Sequence, residues 1–304
     1  MARVLCVGVA VIDTVFAVEA LPARPGKYFA RDRREVGGGV AANAAVAVAR
    51  LGGSAAIWTQ VGDDGVGRRI VAGLRAEGVD VAPVETVPGL ASPQSFVLVD
   101  AAGERLLVNH PDPRLFAAAG PVPEAALARA DAVLADTRWP AAALPALRAA
   151  TERGVPAVLD GDRPLTPAAR ALLTAADRIV FAAPVLADLT GEGDPAAALR
   201  RARGVTDAWL AVTVGERGVY WLEKNDGVRH LPAFPVKAVD TNAAGDVFHG
   251  AFALALAEGR GEAAALAFAA ATAALKCTRF GGRDGIPSRA EVETMLREEA
   301  RGWS

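Results

Sequence analysis

The residues best able to do chemistry lie in one stretch, Val239-Asp240-Thr241-Asn242-Ala243-Ala244-Gly245-Asp246-Val247-Phe248-His249-Gly250. A strand ends, small residues follow, and an apolar helix begins at Asp246. Small side chains let backbone N–H groups come close to a phosphate, and a helix N-terminus adds partial positive charge that favours it. A carboxylate in the first turn, Asp246, can accept a hydroxyl proton as phosphoryl transfer proceeds. Standing alone, Asp246 reads as a helix N-cap; other site-like motifs shift the balance towards chemistry. Thr213-Val214-Gly215-Glu216-Arg217-Gly218 follows a strand and suits close backbone approach to a nucleotide, although a glycine-containing β-turn explains it equally well. Gly37-Gly38-Gly39 leads into a helix carrying Asn43 one turn in. A polar amide on a buried helix face needs partners, and sugar hydroxyls would serve. Gly62-Asp63-Asp64-Gly65-Val66-Gly67 reads as a helix N-cap with turn glycines.

The elements that must position these groups follow a βαβ rhythm. Val4–Val9, Ala55–Trp58, Ala132–Ala135, Ala157–Leu159, Arg178–Phe181 and Trp209–Val214 read as strands. Between most of them lie helical stretches, Val40–Leu51, Gly65–Glu77, Ala141–Glu152 and Thr166–Ala175. Alternation of this kind predicts a mostly parallel sheet with helices on both faces, and the continuous apolar strands agree with burial on both sides. Two segments break the rhythm: Asp13–Val36, and Gln94–Asn109, which reads as a hairpin turning at Asp100-Ala101-Ala102-Gly103. Together they predict a small antiparallel sheet outside the main one, placed as a lid near the strand ends where open α/β sheets bind ligands. Beyond Val214 come the hairpin Gly218–Leu222 and Val228–Phe234, then apolar helices Val247–Ala257 and Glu262–Leu275.

Composition narrows the function classes. The 304 residues are 52% hydrophobic and 22% charged, with a formal net charge of -2. That balance lacks the basic excess of a nucleic-acid binder and points to a small-molecule partner. No apolar run approaches the roughly 20 residues of a membrane span. The two cysteines, Cys6 and Cys277, do not make a disulfide framework. A cytoplasmic protein is therefore expected. A dinucleotide-binding dehydrogenase fits poorly, because the first strand leads to Gly8 alone and not to a Gly-x-Gly-x-x-Gly turn.

Taken together, these residues resemble the ribokinase-like (PfkB) sugar kinases. The family's signature, Asp-Thr-x-Gly-Ala-Gly-Asp, stands here as Asp240-Thr241-Asn242-Ala243-Ala244-Gly245-Asp246, and a second signature matches Gly38-Gly39 through Asn43. Asp13, after the first strand, fits the family's sugar-binding aspartate. The resemblance implies a single kinase domain over 1–304, a three-layer α/β/α fold with a mostly parallel sheet, and a small β-sheet lid formed by about 14–36 and 94–110. It implies ATP and Mg2+, with Asp246 as base and the N–H groups of Ala244, Gly245 and Asp246 as an anion hole. Nucleotide binding falls on Thr213, Gly215 and Gly218, and on the Lys276–Gly285 segment with Cys277 and Gly281.

Two departures stand out. Ala243 replaces the first glycine of the anion hole; if that position has a positive φ, alanine costs roughly 1 kcal/mol and the loop would be shaped differently. The family's Asn-x-x-Glu, linked to magnesium, is missing from Ala182-Ala183-Pro184-Val185-Leu186-Ala187-Asp188, which leaves Asp188 as the candidate acid for the metal. A monovalent cation, K+, near Asp240 and the 276–285 loop is left open.

The match extends to one branch of the family. Gly26-Lys27-Tyr28, Val36-Gly37-Gly38-Gly39, Asp100 with Gly103-Glu104-Arg105, Leu134-Ala135-Asp136-Thr137-Arg138-Trp139, Leu159-Asp160-Gly161-Asp162, Asp246–Gly250 and Lys276-Cys277-Thr278-Arg279 look like the sulfofructose kinases. That branch phosphorylates the 1-hydroxyl of 6-deoxy-6-sulfofructose in sulfoglycolysis. A sulfonate asks for fixed cations and hydrogen-bond donors, and the resemblance offers Lys27, Asn109 and Arg138. Fructose, ribose, a nucleoside or fructose 6-phosphate stand as alternative acceptors, and a non-catalytic sugar- or nucleotide-sensing protein as a rival of another class. An uncovered lid sheet would expose an edge or an apolar patch, so a homodimer through the lids is expected, as the family also suggests.

Overall fold

The computed structural model describes residues 1–101, 104–163, 165–223 and 225–302, the side chains of Arg105 and of 299–302 aside. In chain order its strands are β1 (Arg3–Val7), β2 (Val11–Ala17), β3 (Asp32–Gly38), β4 (Ser54–Trp58), β5 (Gln60–Gly62), β6 (Glu85–Val87) and β7 (Gln94–Val99). They continue as β8 (Arg105–His110), β9 (Ala132–Ala135), β10 (Ala157–Gly161), β11 (Arg178–Ala182), β12 (Trp209–Thr213), β13 (Val219–Leu222) and β14 (Val228–Leu231). The helices are α1 (Val40–Arg50), α2 (Gly65–Ala76), α3 (Glu124–Leu127), α4 (Pro140–Glu152), α5 (Pro167–Arg170), α6 (Ala183–Thr190), α7 (Pro195–Ala202), α8 (Ala244–Ala257), α9 (Glu262–Cys277) and α10 (Arg289–Gly302).

The main sheet runs β14-β13-β12-β11-β10-β9-β1-β4, parallel except for the antiparallel edge made by β13 and β14. Side chains alternate along each strand, so β1 sends Val4 and Cys6 into the layer with α1, α8 and α9. Leu5 and Val7 go the other way, to the layer with α4 and α7. Both faces are therefore dry, which explains the unbroken apolar strands of the sequence. The parallel register aligns the C-terminal ends of β1, β9, β10, β11 and β12 along one edge.

The two irregular segments do pair into a second sheet, in the order β3-β2-β7-β8. It is mixed rather than wholly antiparallel: β2 runs parallel to β7, because β7 arrives after an excursion through β4, β5, α2 and β6 rather than by a hairpin. The expected turn keeps Asp100 and Ala101, while Ala102 and Gly103 lie outside the described residues. The stretch 166–175 also departs from expectation, as a single turn, α5, capped by Thr166 and followed by a 3-10 turn over Ala171–Thr174. Asp64 caps α2, its carboxylate accepting from Gly67 N at 2.7 Å, so the Gly62–Gly67 motif is a helix start. Among the described residues no helix is long and apolar enough to cross a membrane.

Candidate active site

Two small-residue helices make the site possible. α8 crosses α1 so closely that a Cβ on Gly250 would lie 2.5 Å from Ala44 O. Neighbouring positions are alanine on α1, and the approach brings side chains one turn from each N-terminus into contact. Asn43, buried on α1, donates from Nδ2 to Asp246 Oδ2 at 2.6 Å. Its Oδ1 accepts from Arg283 Nε at 2.8 Å. The amide therefore spends both ends within the protein, keeping one N–H for a ligand; it orients Asp246 besides any sugar contact. Burial pushes the Asp246 carboxyl up from its ordinary range, opposed by the Asn43 hydrogen bond and by Arg138 and His249 nearby. A half-buried carboxylate with a raised pKa and one oriented oxygen suits a general base.

Arg283 is the residue that sequence reasoning missed. It projects from the 3-10 turn Gly282–Gly285 into the glycine loop, where Nη2 donates to Gly38 O at 2.8 Å. A Cβ on Gly37 would sit 1.9 Å from Nη1, and one on Gly38 would sit 2.5 Å from Asp13 Oδ2. These glycines leave room for an arginine and a carboxylate to pack on bare backbone. Desolvation lowers the Arg283 pKa to about 10, partly offset by Glu77, Asp13 and Asp246, so the guanidinium stays charged at neutral pH. The signal was present, a lone cation inside the glycine-rich Gly281-Gly282-Arg283-Asp284-Gly285, but its target lay some 240 residues away in sequence.

Asp13 sits on the second sheet, in register with Ser95, which in turn faces Asn109. The three form one row across one face of β2, β7 and β8. Burial raises the Asp13 carboxyl, while the Ser95 hydrogen bond and Arg283 lower it. Asn109 is exposed at the outer end of the row. Lys27 is not brought into this cluster; it stands on an exposed loop with its ammonium 5.3 Å from the Phe29 ring centroid.

Arg138 follows β9 and is largely buried, at 31% side-chain exposure. Nη2 donates to Asp162 Oδ2 at 3.2 Å, while Nη1 is buried without a partner. Asp136, Asp160 and Asp162 all hold its pKa up against desolvation. Asp136 is a joint: its carboxylate accepts from Val9 N, Ala41 N and Arg138 N, tying the ends of β1 and β9 to the start of α1. Below the first turn of α8, His249 places Nδ1 at 2.7 Å from Gly245 O and 3.1 Å from Asp160 Oδ2, and Nε2 at 3.1 Å from Val180 O. Burial drives the Asp160 carboxyl up to about 7, against the pull of His249.

In the loop before α8, Ala243 takes φ 61 and ψ 10, the left-handed conformation. The sequence raised the prospect of a different loop; instead alanine bears the strain. Ala243→Gly should therefore raise stability by about 1 kcal/mol, read as a melting temperature higher by about 2 °C; an unchanged or lower value would remove the strain. No side chain caps α8. Ala244 N donates to Thr241 O at 3.2 Å, whereas Gly245 and Asp246, in the first turn, have N–H groups with no intrahelical acceptor. A Cβ on Gly245 would meet nothing within 4 Å, so this glycine faces open space. Two N–H groups without intrahelical acceptors and the positive end of the helix dipole suit an anion near Asp246.

Further along the edge, Thr213 ends β12 and Gly215 opens a 3-10 turn. Gly215 faces open space, but Gly218 is explained by packing, since a Cβ there would lie 2.1 Å from Leu231 O. Gly281 N donates to Asp240 Oδ2 at 3.0 Å, and Cys277 O accepts from Val239 N and Asp240 N, which knits the 276–285 segment to the loop before α8. Asp188 is taken up in an exposed ion pair with Arg163 at 2.5 Å. Among the described residues no cluster of three or more His, Cys, Asp or Glu is disposed to hold a metal ion. The described side chains do not build a magnesium shell.

Residues 1–289 match the model of the pfkB family carbohydrate kinases. A solved structure described as a putative ribokinase from Agrobacterium tumefaciens superposes with a TM-score of 0.94 at 41% identity, covering 99% of both chains. The ribokinase of Bacillus subtilis is 30% identical over 97% of this chain and 100% of its own length. Fructokinase-1 of Zea mays is 30% identical over 86% of this chain and 88% of its own. None of these relatives bears a sulfofructose kinase name. With a half-buried carboxylate in the first turn of α8 and a match over nearly its whole length, the chain belongs to the pfkB family of carbohydrate kinases, ATP-dependent phosphotransferases acting on sugar hydroxyls.

Proposed function

We propose that the chain transfers the γ-phosphate of ATP to the 1-hydroxyl of 6-deoxy-6-sulfofructose. Asp246 takes the hydroxyl proton as the oxygen attacks phosphorus. The N–H groups of Gly245 and Asp246 receive the charge that builds on the transferred phosphoryl oxygens. Asp13 and the spare N–H of Asn43 hold sugar hydroxyls, and Arg283 fixes both by packing beneath them. A magnesium ion, if carried by the nucleotide's phosphates, would neutralise part of their charge. The small sheet acts as a lid whose closure keeps water from the phosphoryl group.

The observation that supports an anionic acceptor is Arg138, a guanidinium near Asp246 with 31% of its side chain exposed. A guanidinium is a fitting donor to a sulfonate oxygen, with Asn109 as a second donor. A neutral ketose or pentose is the second reading. It is favoured by the three aspartates that already balance Arg138, and by the ribokinase and fructokinase names of the relatives. Arg138→Ala separates the two. It should raise KM for the sulfonated sugar about 100-fold, the worth of a charged hydrogen bond in a dry site, and raise that for fructose far less. An equal change for both sugars would remove the sulfonate from this pocket.

The outward face of the lid supports a homodimer. Phe96, Leu106 and Val108 share the face opposite Asp13 and are exposed. Light scattering should give twice the chain mass, and aspartate at Leu106 and Val108 should halve it; a monomer at micromolar concentration would contradict the dimer.

A further inference from the structure

Lys276 lies in the last turn of α9 and is fully buried, with 0% of its side chain exposed. Its ammonium donates to Asp240 O at 2.8 Å and lies 3.7 Å from Asp240 Oδ2. Asp240 is the hub of the loop that delivers Gly245 and Asp246. One carboxylate oxygen accepts from Asn242 N at 2.9 Å and the other from Gly281 N at 3.0 Å. A buried ammonium facing a carbonyl and a carboxylate does what a bound monovalent cation does with the same oxygens: it neutralises them and fixes their spacing. The position at the C-terminal turn of a helix adds the favourable end of the helix dipole.

We propose that Lys276 is a built-in cation that positions the anion-hole loop, so that the chain works without a bound monovalent ion. The place next to Asp240 where K+ was left open by the sequence is held by a covalently tethered charge, and a second cation there would meet its repulsion in a dry setting. Lys276 touches no reacting atom; it is a positioning residue acting through Asp240. The inference rests on the kinase reading, but its structural half can be measured without turnover.

The test compares the wild-type chain with Lys276→Ala in potassium, ammonium and tetramethylammonium chloride at equal ionic strength, following both thermal melting and acceptor-dependent ADP release. The wild-type chain should melt at one temperature and turn over at one rate in all three salts. Lys276→Ala in tetramethylammonium should melt about 5–10 °C lower and turn over about 100-fold more slowly, the effect of an ångström-scale displacement of the donors. Potassium or ammonium, small enough to enter the vacated space, should restore a large part of both. Lys276→Met fills more of that space and should be restored less. Wild-type turnover that climbs several-fold with potassium would overturn the proposal. So would a truncated variant whose losses are the same in all three salts, which would mark Lys276 as packing alone. Should no sugar be turned over, the melting temperatures still decide the cation question, so the two readings fail separately.

Discussion

Asp246→Asn should lower turnover by on the order of 1,000-fold while leaving the dissociation constant for the sugar within about threefold of wild type. The amide has the shape of the carboxylate and can still accept from Asn43, which now holds Asp246 Oδ2 at 2.6 Å. What it loses is the capacity to take a proton. The N–H groups of Gly245 and residue 246 are backbone and survive the change, so phosphate binding should persist. Turnover and sugar affinity lost together would mean that Asp246 binds rather than abstracts. Near-normal turnover would remove the base assignment altogether. Sugar affinity by calorimetry and turnover by ADP release give both numbers.

The second large effect belongs to Arg283→Met. Methionine fills much of the volume but leaves Gly38 O and Asn43 Oδ1 without their donor. It also strips a buried positive charge from beside Asp13 and Asp246. Breaking a buried ionic arrangement from one side costs about 3–5 kcal/mol, so melting should fall by about 10 °C. Asn43 would then be free to rotate, and kcat/KM should drop on the order of 100-fold through the disturbed base. Arg283→Lys should recover little, because an ammonium cannot serve two acceptors in the fixed fork of a guanidinium. A methionine variant as stable and active as wild type would show that Arg283 merely fills space.

Much of the site was legible because its chemistry is written in contiguous residues. Asp246 and Gly245 lie on one short stretch, with strand, loop and helix in order, and the structure gives them the helix start that the pattern implied. Asn43 was legible as a buried amide, since no other polar residue interrupts that face of α1. Its partners were not: Asp246 is 203 residues away and Arg283 is 240, and no local periodicity encodes such pairings. The same holds for Asp160 and His249, which β10 and α8 bring together across the sheet edge. Lys276 reads in sequence as a charge at the end of an apolar helix; only its complete burial shows that it serves the loop beside it.

The fold followed the same division. Strands of the main sheet could be read because burial on both faces makes them continuous apolar runs. The parallel pairing of β2 with β7 could not, since it depends on where the chain returns after a long excursion. α6 and α7 escaped notice because they are short, eight residues each. Ala243 shows the limit of propensity: alanine disfavours the left-handed conformation, yet the Asp240 hydrogen bonds on one side and α8 on the other hold it there.

The most direct test of the central claim is transfer itself. Purified chain with magnesium and ATP carrying a radioactive γ-phosphate would be offered 6-deoxy-6-sulfofructose, fructose 6-phosphate, fructose and ribose together, and the labelled products separated. Label should appear on a sugar hydroxyl, chiefly that of the sulfonated sugar, in an amount matching the ADP released, and should be lost with Asp246→Asn. Label on a neutral sugar instead would keep the kinase and discard the sulfonate. Label that stays on ATP, or appears only as inorganic phosphate, would contradict the assignment of this site to sugar phosphorylation.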